Sequence, residues 1–391
     1  MTGNLTIVIA ARNAAATIER AVGSAAAESA CPLVLVDDHC TDDTVARARR
    51  VAGGRLRVVP APAPGGVTVA RQAGLDAVET EFATWLDADD EWLPGRAGRF
   101  VEALQGGADV VTEAIELFDG ATGERLRRLT IPEFVRREVV PARLFERNYL
   151  PGDTQVAFRP GLFREAGGYD PALSVAESFD LLLRAVARGA KFAYGREAGY
   201  RMYAYPGSAS RHLARQRAAL AGALGKHDYE NVRRLCLAAG EPPRVAAWVL
   251  VSMALYREDP GRALGFVDEA SPPVADPLVV LEPTGPVPEP EGWRRSFARG
   301  TCLLMLGRSE EAQEALRSAE AWVPTAEGAN NLGAALARLG RPAEAKDCWR
   351  LALDRFEGFA DARENLAGGN LQITTHPLRR QASRAEYARL V

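Results

Sequence analysis

The sequence predicts an α/β domain at the N-terminus, followed by an all-α domain of helical repeats. Between residues 5 and 86, short apolar, β-branched runs alternate with helical segments, which is typical of a parallel sheet covered by helices on both faces. Beyond about residue 210 the composition shifts to Ala, Leu and Arg, and a 33-residue repeat appears. A chain of 391 residues is also too long for one ordinary hydrophobic core.

Four strands are predicted, and the continuous apolar runs of the first two indicate burial on both faces, since a half-exposed strand would alternate polar and apolar residues. The four strands occupy residues 5–10, 33–36, 56–59 and 82–86, and helices are predicted at 17–27, 41–51 and 67–78, the second with Thr41 as its cap. Ligands of such sheets bind at the carboxyl ends of the strands. Two of these strand ends are acidic.

The pattern becomes irregular after Gly106. We predict strands near 110–115 and 155–158, a helix at 175–189 and a late strand region at 192–203. A stretch rich in proline, at 271–292, reads as a connection. The predicted division is an α/β domain at 1–210, a helical region with that connection at 211–292, helical repeats at 293–375 and a tail at 376–391.

The internal repeat predicts paired helices. Five small or acidic positions recur 33 residues apart: Gly300, Gly307, Glu311, Ala312 and Ala319 return as Gly333, Gly340, Glu344, Ala345 and Ala352. The second copy resembles a tetratricopeptide repeat, in which small residues let two helices approach closely and Trp349 fills the groove between them. Residues 228–270 are candidates for a degenerate earlier pair.

The cluster Asp87-Ala88-Asp89-Asp90 is the strongest functional signal. Three carboxylates at the end of an apolar strand repel one another unless a cation neutralises them. A hard divalent ion such as Mg²⁺ or Mn²⁺ takes one or two carboxylates and completes its shell with a diphosphate. On spacing alone, a solvated helix cap before Trp92 explains the cluster equally well.

The second acidic strand end adds context. Asp37 and Asp38 follow the strand at 33–36, and Arg71 lies on the helix at 67–78. Carboxylates for a ribose or base edge, with a metal and an arginine for phosphate, fit a nucleoside diphosphate. No GxGxxG or GKS/T motif supports a dinucleotide or P-loop site.

Several segments, in order, resemble the motifs of the family 2 glycosyltransferases with the GT-A fold. The resemblance covers roughly residues 4–210 and lies in LTIVIAARN (5–13), VDDHCTDDT (36–44), VARQAGL (69–75), WLDADDEWLPG (85–95), AGGYD (166–170) and ESFDLLLR (177–184). It implies a Rossmann-like mixed sheet with helices on both faces. It also implies inverting transfer of a sugar from a nucleoside diphosphate, with UDP the favoured nucleotide.

The resemblance also implies site residues. The donor would be bound by Asp37 or Asp38, by Arg71 and by Asp87, next to Ala88 and the first-motif residues Ala10, Arg12 and Asn13. Asp89, with Asp87 and Asp90 beside it, would bind Mn²⁺ or Mg²⁺ bridging the diphosphate, and His212 is a candidate late ligand. A solvated histidine at a helix start explains His212 more simply.

Two departures from the family pattern bear on function. The first motif reads Ala10-Ala11-Arg12-Asn13 where the family has Pro-Thr-Tyr-Asn, so a guanidinium replaces the aromatic ring that stacks on the base. The acceptor-activating Asp of the family is replaced by Ser178, which follows Glu177. Three readings remain open: Glu177 substitutes as base, the acceptor is an easily ionised group such as a thiol, or turnover is weak. Asp180 is the remaining candidate, with a surface ion pair to Arg184 as its alternative.

The bulk properties narrow the partners. A net charge of −3 argues against a general nucleic-acid binder, and five scattered cysteines without a CxxC pair support neither a disulfide framework nor a zinc site. Without a signal peptide or a long apolar run, we expect a cytoplasmic enzyme with no membrane span. The predicted acceptor is a peptide, held by the repeats, or a small molecule. A nucleotide-sugar-binding scaffold that recruits a protein partner is the alternative, and a homodimer is left open.

Overall fold

The chain folds into two compact units. The computed structural model describes residues 2–28, 30–130, 141–205, 213–270, 280–282, 285–287 and 292–375. The first unit comprises Met1–Leu144 and Asn148–Ala223, and the second comprises Phe145–Arg147 and Leu224–Val391. The finer division predicted from the sequence, with a first boundary at residue 210, stays a prediction.

The described part of the first unit contains a mixed sheet of nine strands. Its order is β3-β2-β1-β4-β8-β6-β9-β5, with β7 paired to β6. The first four strands in this order are parallel, β8 is antiparallel to both of its neighbours, and β6 and β9 are parallel to each other. The strands are β1 (Leu5–Ala11), β2 (Leu33–Asp37), β3 (Leu56–Pro60), β4 (Phe82–Trp85), β5 (Glu91–Trp92), β6 (Val110–Asp119), β7 (Arg125–Leu129), β8 (Ala157–Phe158) and β9 (Phe192–Ala204).

In the described ranges of the first unit, six helices accompany this sheet before the helix that continues into the second unit. They are α1 (Ile18–Ala26), α2 (Thr44–Ala52), α3 (Val67–Ala77), α4 (Arg96–Gln105), α5 (Pro160–Glu165) and α6 (Glu177–Ala187). Single turns of 3₁₀ helix lie at Thr2–Asn4, Gly53–Arg55 and Pro141–Phe145. The predicted alternation of strands and helices is confirmed, and β1 and β2 are buried on both faces as expected.

The start of α2 corrects the sequence analysis. Thr41 does not cap this helix, because the N-cap position is Asp43, and the Thr41 N–H instead donates to Asn13 Oδ1 at 2.8 Å. The helix begins three residues later, and the Thr44 hydroxyl accepts from the backbone N–H of Ala14 at 2.8 Å. Polar side chains therefore join the loop after β1 to the loop after β2. These hydrogen bonds hold the carboxyl ends of β1 and β2 together.

The second unit is built from helices, with a short two-stranded ladder of β10 (Val280–Glu282) and β11 (Gly285–Val287). None of the helices in the part of the chain that the structure describes is long and apolar enough to cross a membrane. The helices are α7 (Leu213–Gly225, which begins in the first unit), α8 (Tyr229–Ala238), α9 (Pro243–Tyr256), α10 (Pro260–Glu269), α11 (Trp293–Met305), α12 (Ser309–Trp322), α13 (Ala326–Arg338), α14 (Pro342–Arg355) and α15 (Ala360–Leu366).

The 33-residue spacing of the sequence reappears as a spacing of helices. Helices α13 and α14 begin and end 33 residues after α11 and α12. A Cβ on Gly333 would lie 2.5 Å from Trp349 Nε1, and one on the corresponding Gly300 would lie 2.6 Å from Leu316 Cγ. Only glycine permits either close approach. Assignment of these pairs to the tetratricopeptide family stays a prediction.

A short extended stretch, which we call the C-terminal segment (residues 371–375), lies against these helices. Asn331 contacts Thr374 twice: its Nδ2 donates to the Thr374 carbonyl and its Oδ1 accepts from the Thr374 N–H, both at 2.8 Å. Asn365 contacts Gln372 in the same way, at 3.0 and 2.7 Å. Both asparagines are buried, so the C-terminal segment satisfies polar groups that water does not reach.

Candidate functional site

A cleft of about 650 Å³ opens at the carboxyl ends of β1, β2 and β4. Because these strands are parallel neighbours, their ends meet at one edge of the sheet, as the sequence predicts. Its walls come from the loops after these strands and from the starts of α1 and α3. The lining residues are Ala10, Ala11, Arg12, Asn13, Ala14, Ala16, Thr17, Asp38, Gly66, Val67, Ala70, Arg71, Asp87, Ala88, Asp89 and Tyr205.

Of the two carboxylates after β2, Asp38 lines the cleft and Asp37 does not. Asp37 Oδ1 accepts from the backbone N–H of Cys40 at 2.9 Å, which closes its own loop. Asp38 Oδ1 accepts from the Gly66 N–H at 2.8 Å, and Asp38 Oδ2 lies 3.8 Å from Arg12 Nη1. The neighbouring Gly65 has a φ of +80°, and a Cβ there would lie 2.4 Å from Asp38 Oδ1.

Asp87 is held on both carboxylate oxygens. Arg71 Nη2 donates to Oδ1 at 3.0 Å, and Gln155 Nε2 donates to Oδ2 at 2.6 Å. The Asp87 N–H donates to the Tyr200 hydroxyl at 3.1 Å. A carboxylate accepts up to about four hydrogen bonds, so Asp87 keeps lone pairs for a sugar hydroxyl while its orientation is fixed.

Asp89 faces the cleft differently. Its pKa is raised, first by burial and then by the charge of Asp87. Among the described residues, no other side chain donates a hydrogen bond to its carboxylate, and no three His, Cys, Asp or Glu side chains are grouped to hold a metal. A carboxylate that burial and a like charge disfavour, at the wall of a cleft, fits a cation whose other ligands come from a bound diphosphate.

Asp90 lies behind the cleft, which corrects its expected place among metal ligands. It is 3% exposed. The Tyr200 hydroxyl donates to its Oδ2 and the Tyr203 N–H donates to its Oδ1, each at 2.8 Å. Burial, followed by the charges of Asp87 and Asp89, raises its pKa well above the usual value. Asp90 therefore joins the acidic loop to β9 instead of reaching the cleft.

Arg71 links the donor and acceptor sides of the expected site. Besides Asp87, it contacts Glu177: Nε donates to Glu177 Oε1 at 3.1 Å. Its guanidinium lies 5.3 Å from the centre of the Trp85 ring, and the side chain is nearly buried. Burial opposes its charge, but the two carboxylates outweigh burial and raise the pKa of Arg71. Because Arg71 already binds two carboxylates, its main role is to join Asp87 to Glu177, and contact with a phosphate is secondary.

The two candidates for acceptor activation are adjacent at the start of α6. The Ser178 hydroxyl lies 3.4 Å from Glu177 Oε1 and 3.4 Å from Thr154 Oγ1. Both side chains are almost buried, and neither lines the described cleft. Two donors already approach Glu177 Oε1, so an acceptor proton would have to go to its other oxygen.

Asp180 forms the ion pair with Arg184 that the helical spacing predicts, but in the interior of the domain. It is fully buried, and Arg184 Nη2 lies 2.7 Å from its Oδ2, so the ion pair exists but is not at the surface. The same guanidinium donates to the carbonyls of Ala166 and Gly168, which fixes the segment before α6. His212 lies outside the described residues.

Three residues that we did not predict take part in the site. Gln155 orients Asp87, Tyr205 lines the cleft, and Arg20 of α1 donates to the Asp89 carbonyl and to the Tyr205 hydroxyl. Tyr205 stands in the segment after the last predicted strand, where it could have been suspected. Nothing in the sequence around Gln155 or Arg20 marks either residue.

Comparison with known proteins bears on this arrangement. Residues 6–164 match the sequence model of the family described as Glycosyl transferase family 2. This part of the chain is therefore similar to the family 2 glycosyltransferases. The match begins in β1 and ends in α5, so it includes the loops that carry Asp38, Asp87 and Asp89.

Two curated relatives are similar to this chain over about half of its length. The succinoglycan biosynthesis protein ExoO of Rhizobium meliloti is 32% identical over 54% of this chain and 63% of its own length. The succinoglycan biosynthesis protein ExoU of the same organism is 34% identical over 50% of this chain and 60% of its own length. The chain thus spans less than two thirds of the length of these relatives.

The fold is similar to that of a solved structure. S. aureus TarS residues 1–349, crystallised in complex with UDP-GlcNAc, is 15% identical and covers 90% of this chain and 92% of its own, with a TM-score of 0.52. The predicted fold class is confirmed: a GT-A-like curled mixed sheet with helices is followed by a helical C-terminal region.

Proposed function

We propose that the first unit transfers a sugar from a nucleoside-diphosphate sugar, with UDP as the carrier, and inverts the anomeric carbon. The observation that carries this proposal is the cleft at the carboxyl ends of β1, β2 and β4, which brings Asp38, Asp87 and Asp89 together. Its volume of about 650 Å³ lies in the usual range for small-molecule sites.

The comparisons support a sugar donor. The domain that contains this cleft matches a glycosyltransferase family, and the ExoO and ExoU proteins are named for the biosynthesis of a polysaccharide. TarS, whose fold is similar, was crystallised with UDP-GlcNAc. In our proposal, Asp38 binds the base or ribose, and Asp87 accepts from a ribose hydroxyl.

We propose Asp89 as the protein ligand of a divalent cation, Mn²⁺ or Mg²⁺. Its half-buried carboxylate at the cleft wall suits such an ion, whereas Asp90 is already bound to two tyrosines. When bound, the ion would offset the negative charge that builds up on the departing diphosphate. Asp38 and Asp87 would meanwhile fix the nucleoside, so that the anomeric carbon faces the acceptor.

In the transfer, a nucleophilic atom of the acceptor forms a bond to the anomeric carbon as the bond to the diphosphate oxygen breaks. The bonding electrons leave with the diphosphate, and the acceptor loses a proton. Glu177 Oε2 is one destination for that proton, because Oε1 already receives two hydrogen bonds. A thiol acceptor ionises far more easily than an alcohol and needs a weaker base, which suits a site with Ser178. We propose a peptide or small-molecule acceptor, with the helical repeats holding a peptide.

Ligand-dependent thermal unfolding tests the donor site. UDP with Mn²⁺ at about 100 times its Kd should stabilise the wild type by roughly 2.7 kcal/mol, which shifts the melting temperature by several degrees. Asp89→Ala should lose this shift, while Asp43→Asn, which changes an exposed carboxylate outside the cleft lining, should keep it. Absence of a shift for the wild type with every nucleotide tried would contradict the proposal.

A second candidate function rests on the residues at the acceptor side. Ser178 carries no carboxylate, and Glu177 is held by Arg71 at 3.1 Å. These observations favour a scaffold that binds a nucleotide sugar without turning it over, while its helical unit recruits a protein partner. Ser178→Asp separates the two functions, because it supplies a carboxylate at that position.

For an active enzyme, donor hydrolysis and transfer are measurable in the wild type. For a scaffold, the wild type should bind UDP without releasing sugar, and Ser178→Asp should raise sugar release from the nucleotide donor. Equal hydrolysis by both proteins, at a rate that Asp89→Ala abolishes, would contradict the scaffold.

A further inference from the structure

Arg20 connects three parts of the site without lining the cleft. It lies on α1, and its Nη2 donates to the backbone carbonyl of Asp89 and, at 3.2 Å, to the Tyr205 hydroxyl. Its guanidinium carbon lies 3.8 Å from the centre of the Tyr203 ring. One side chain therefore joins the first helix, the acidic loop and the end of the last strand.

The acidic loop is also held at its two ends, at Asp87 by Arg71 and Gln155 and at Asp90 by β9. Asp90 accepts from the Tyr200 hydroxyl and from the Tyr203 N–H, both at 2.8 Å. These contacts fix Asp90 but leave the next residue towards the cleft, Asp89, to be fixed by other means. The hydrogen bond from Arg20 to the Asp89 carbonyl supplies that restraint.

A guanidinium suits this position for two reasons. A guanidinium is planar, so its face stacks on Tyr203 while its N–H groups donate within its own plane. A lysine ammonium cannot do both. The positive charge of Arg20 also lies beside a loop with three carboxylates, and a charged donor makes the stronger hydrogen bond. Arg20 Nε is buried and has no hydrogen-bond partner among the described residues, so the contacts of Nη2 and the ring hold this side chain.

We propose that Arg20 is a positioning residue that sets how tightly the site binds a metal–nucleotide complex. It does so by fixing the Asp89 backbone and the Tyr205 side chain, both at the cleft wall. The proposal deepens the proposed function and rests on it. It assigns to α1 a part in donor binding that the acidic cluster alone does not reveal.

Calorimetric binding of UDP, with and without Mn²⁺, tests this role without any acceptor. Arg20→Lys keeps the charge but loses the planar stacking, and Arg20→Gln loses the charge. We expect each to weaken Mn²⁺-dependent UDP binding by roughly tenfold. Tyr205→Phe, which removes only the hydroxyl, should weaken it less. Arg50→Lys is the matched control, because Arg50 makes an exposed ion pair with Glu19 and should leave the Kd unchanged.

The outcomes separate this inference from the proposed function. Wild-type binding of UDP, with unchanged Kd values in folded Arg20→Lys and Arg20→Gln proteins, would overturn the role of Arg20 and leave the donor site standing. Failure of the wild type to bind any nucleotide would overturn both. If Arg20→Gln does not fold, Arg20→Lys and Tyr205→Phe decide: unchanged Kd values in both overturn the role, and weaker binding in both supports it.

Discussion

Gln155 is the least conspicuous residue of the candidate site and one of the most constrained. It is 3% exposed, and its Nε2 lies 2.6 Å from Asp87 Oδ2. Its backbone carbonyl accepts from Arg96 Nη2 at 2.7 Å, so the side chain and the backbone of one residue are both fixed. Because Gln155 is fixed in the interior, it holds the Asp87 carboxylate in one orientation at the cleft.

Replacement of this amide by a carboxylate tests whether Asp87 needs the hydrogen bond from Gln155. In Gln155→Glu, an acceptor replaces the donor beside Asp87, and two carboxylates would lie in direct contact. An unpaired or repelled buried group costs about 1–3 kcal/mol, so we expect the Kd for UDP with Mn²⁺ to rise by roughly tenfold or more. Titration calorimetry measures it, and Gln105→Glu, at the exposed end of α4, should change nothing. A variant as tight as the wild type would show that Asp87 does not need this donor.

The sequence predicts the acidic residues of the site but not the residues that orient them. Asp38, Asp87 and Asp89 follow directly from the ends of apolar strands, which is a local pattern. Gln155 and Arg20 approach the cluster from 68 and 69 residues away in the chain. Such partners depend on the order of strands in the sheet, and a single sequence without internal symmetry does not specify that order in the second half of the domain.

At the scale of elements, a buried charge pair joins α4 to β6. Arg96 is fully buried, lies 3.1 Å from Glu113 Oε1, and its guanidinium is 4.7 Å from the centre of the Tyr200 ring. Burial lowers the pKa of Arg96 to about 10, and the charge of Glu113 opposes this. Arg99 Nε also contacts Glu113, at 2.9 Å. Glu113 thus forms ion pairs with both Arg96 and Arg99.

Removal of that glutamate charge should destabilise the first unit strongly. Glu113→Gln leaves Arg96 buried without its counter-charge, and breaking a buried pair in this way costs about 3–5 kcal/mol. Denaturant unfolding monitored by tryptophan fluorescence gives the value. Glu79→Gln breaks an exposed pair with Arg57 and should cost less than about 1 kcal/mol. Similar losses in both variants would mean that the interior of this sheet tolerates an uncompensated arginine.

The glycine contacts between repeat helices make a second test at this scale. A methyl group at Gly333 or Gly300 has no room, with neighbouring atoms 2.5 and 2.6 Å away, so each Gly→Ala should cost about 1–3 kcal/mol by overpacking. Gly265→Ala on α10 meets no atom within 4 Å and should be neutral or slightly stabilising, since alanine is the better helix former. Thermal unfolding of the three variants distinguishes these effects. Stabilisation by all three would contradict the close approach of the helices.

Across the whole chain, the sequence repeat predicts where helices recur, whereas the predicted domain boundaries stay predictions. The 33-residue spacing anticipates the pairs α11–α12 and α13–α14, because small residues recur wherever two helices touch. The first predicted boundary, at residue 210, lies within a few residues of α7, which runs on to Gly225, and the two units divide after Ala223. The change in composition near residue 210 coincides with the start of this helix, Leu213, and not with the division between the units.

The C-terminal segment offers a test of how the second unit is completed. In Asn331→Leu, the Thr374 N–H and carbonyl lose both partners in a buried position, and we expect a loss of about 2–4 kcal/mol in the unfolding free energy of this unit. Asn370→Leu changes an exposed neighbour and is the control. Circular dichroism during heating measures the difference. Equal melting temperatures would indicate that water replaces the Asn331 contacts without cost.

The same segment bears on protein engineering. Asn331 and Asn365 each form hydrogen bonds to backbone atoms of the C-terminal segment. Asn330 Nδ2 also donates to the Gln372 carbonyl, at 3.3 Å. A truncation after Gly369 would leave these amides without their partners, whereas one after Thr375 would keep these hydrogen bonds. An affinity tag or fusion partner should therefore be attached beyond Thr375. Shortening the chain to the end of α15 would remove the C-terminal segment, which forms hydrogen bonds to buried asparagines of the second unit.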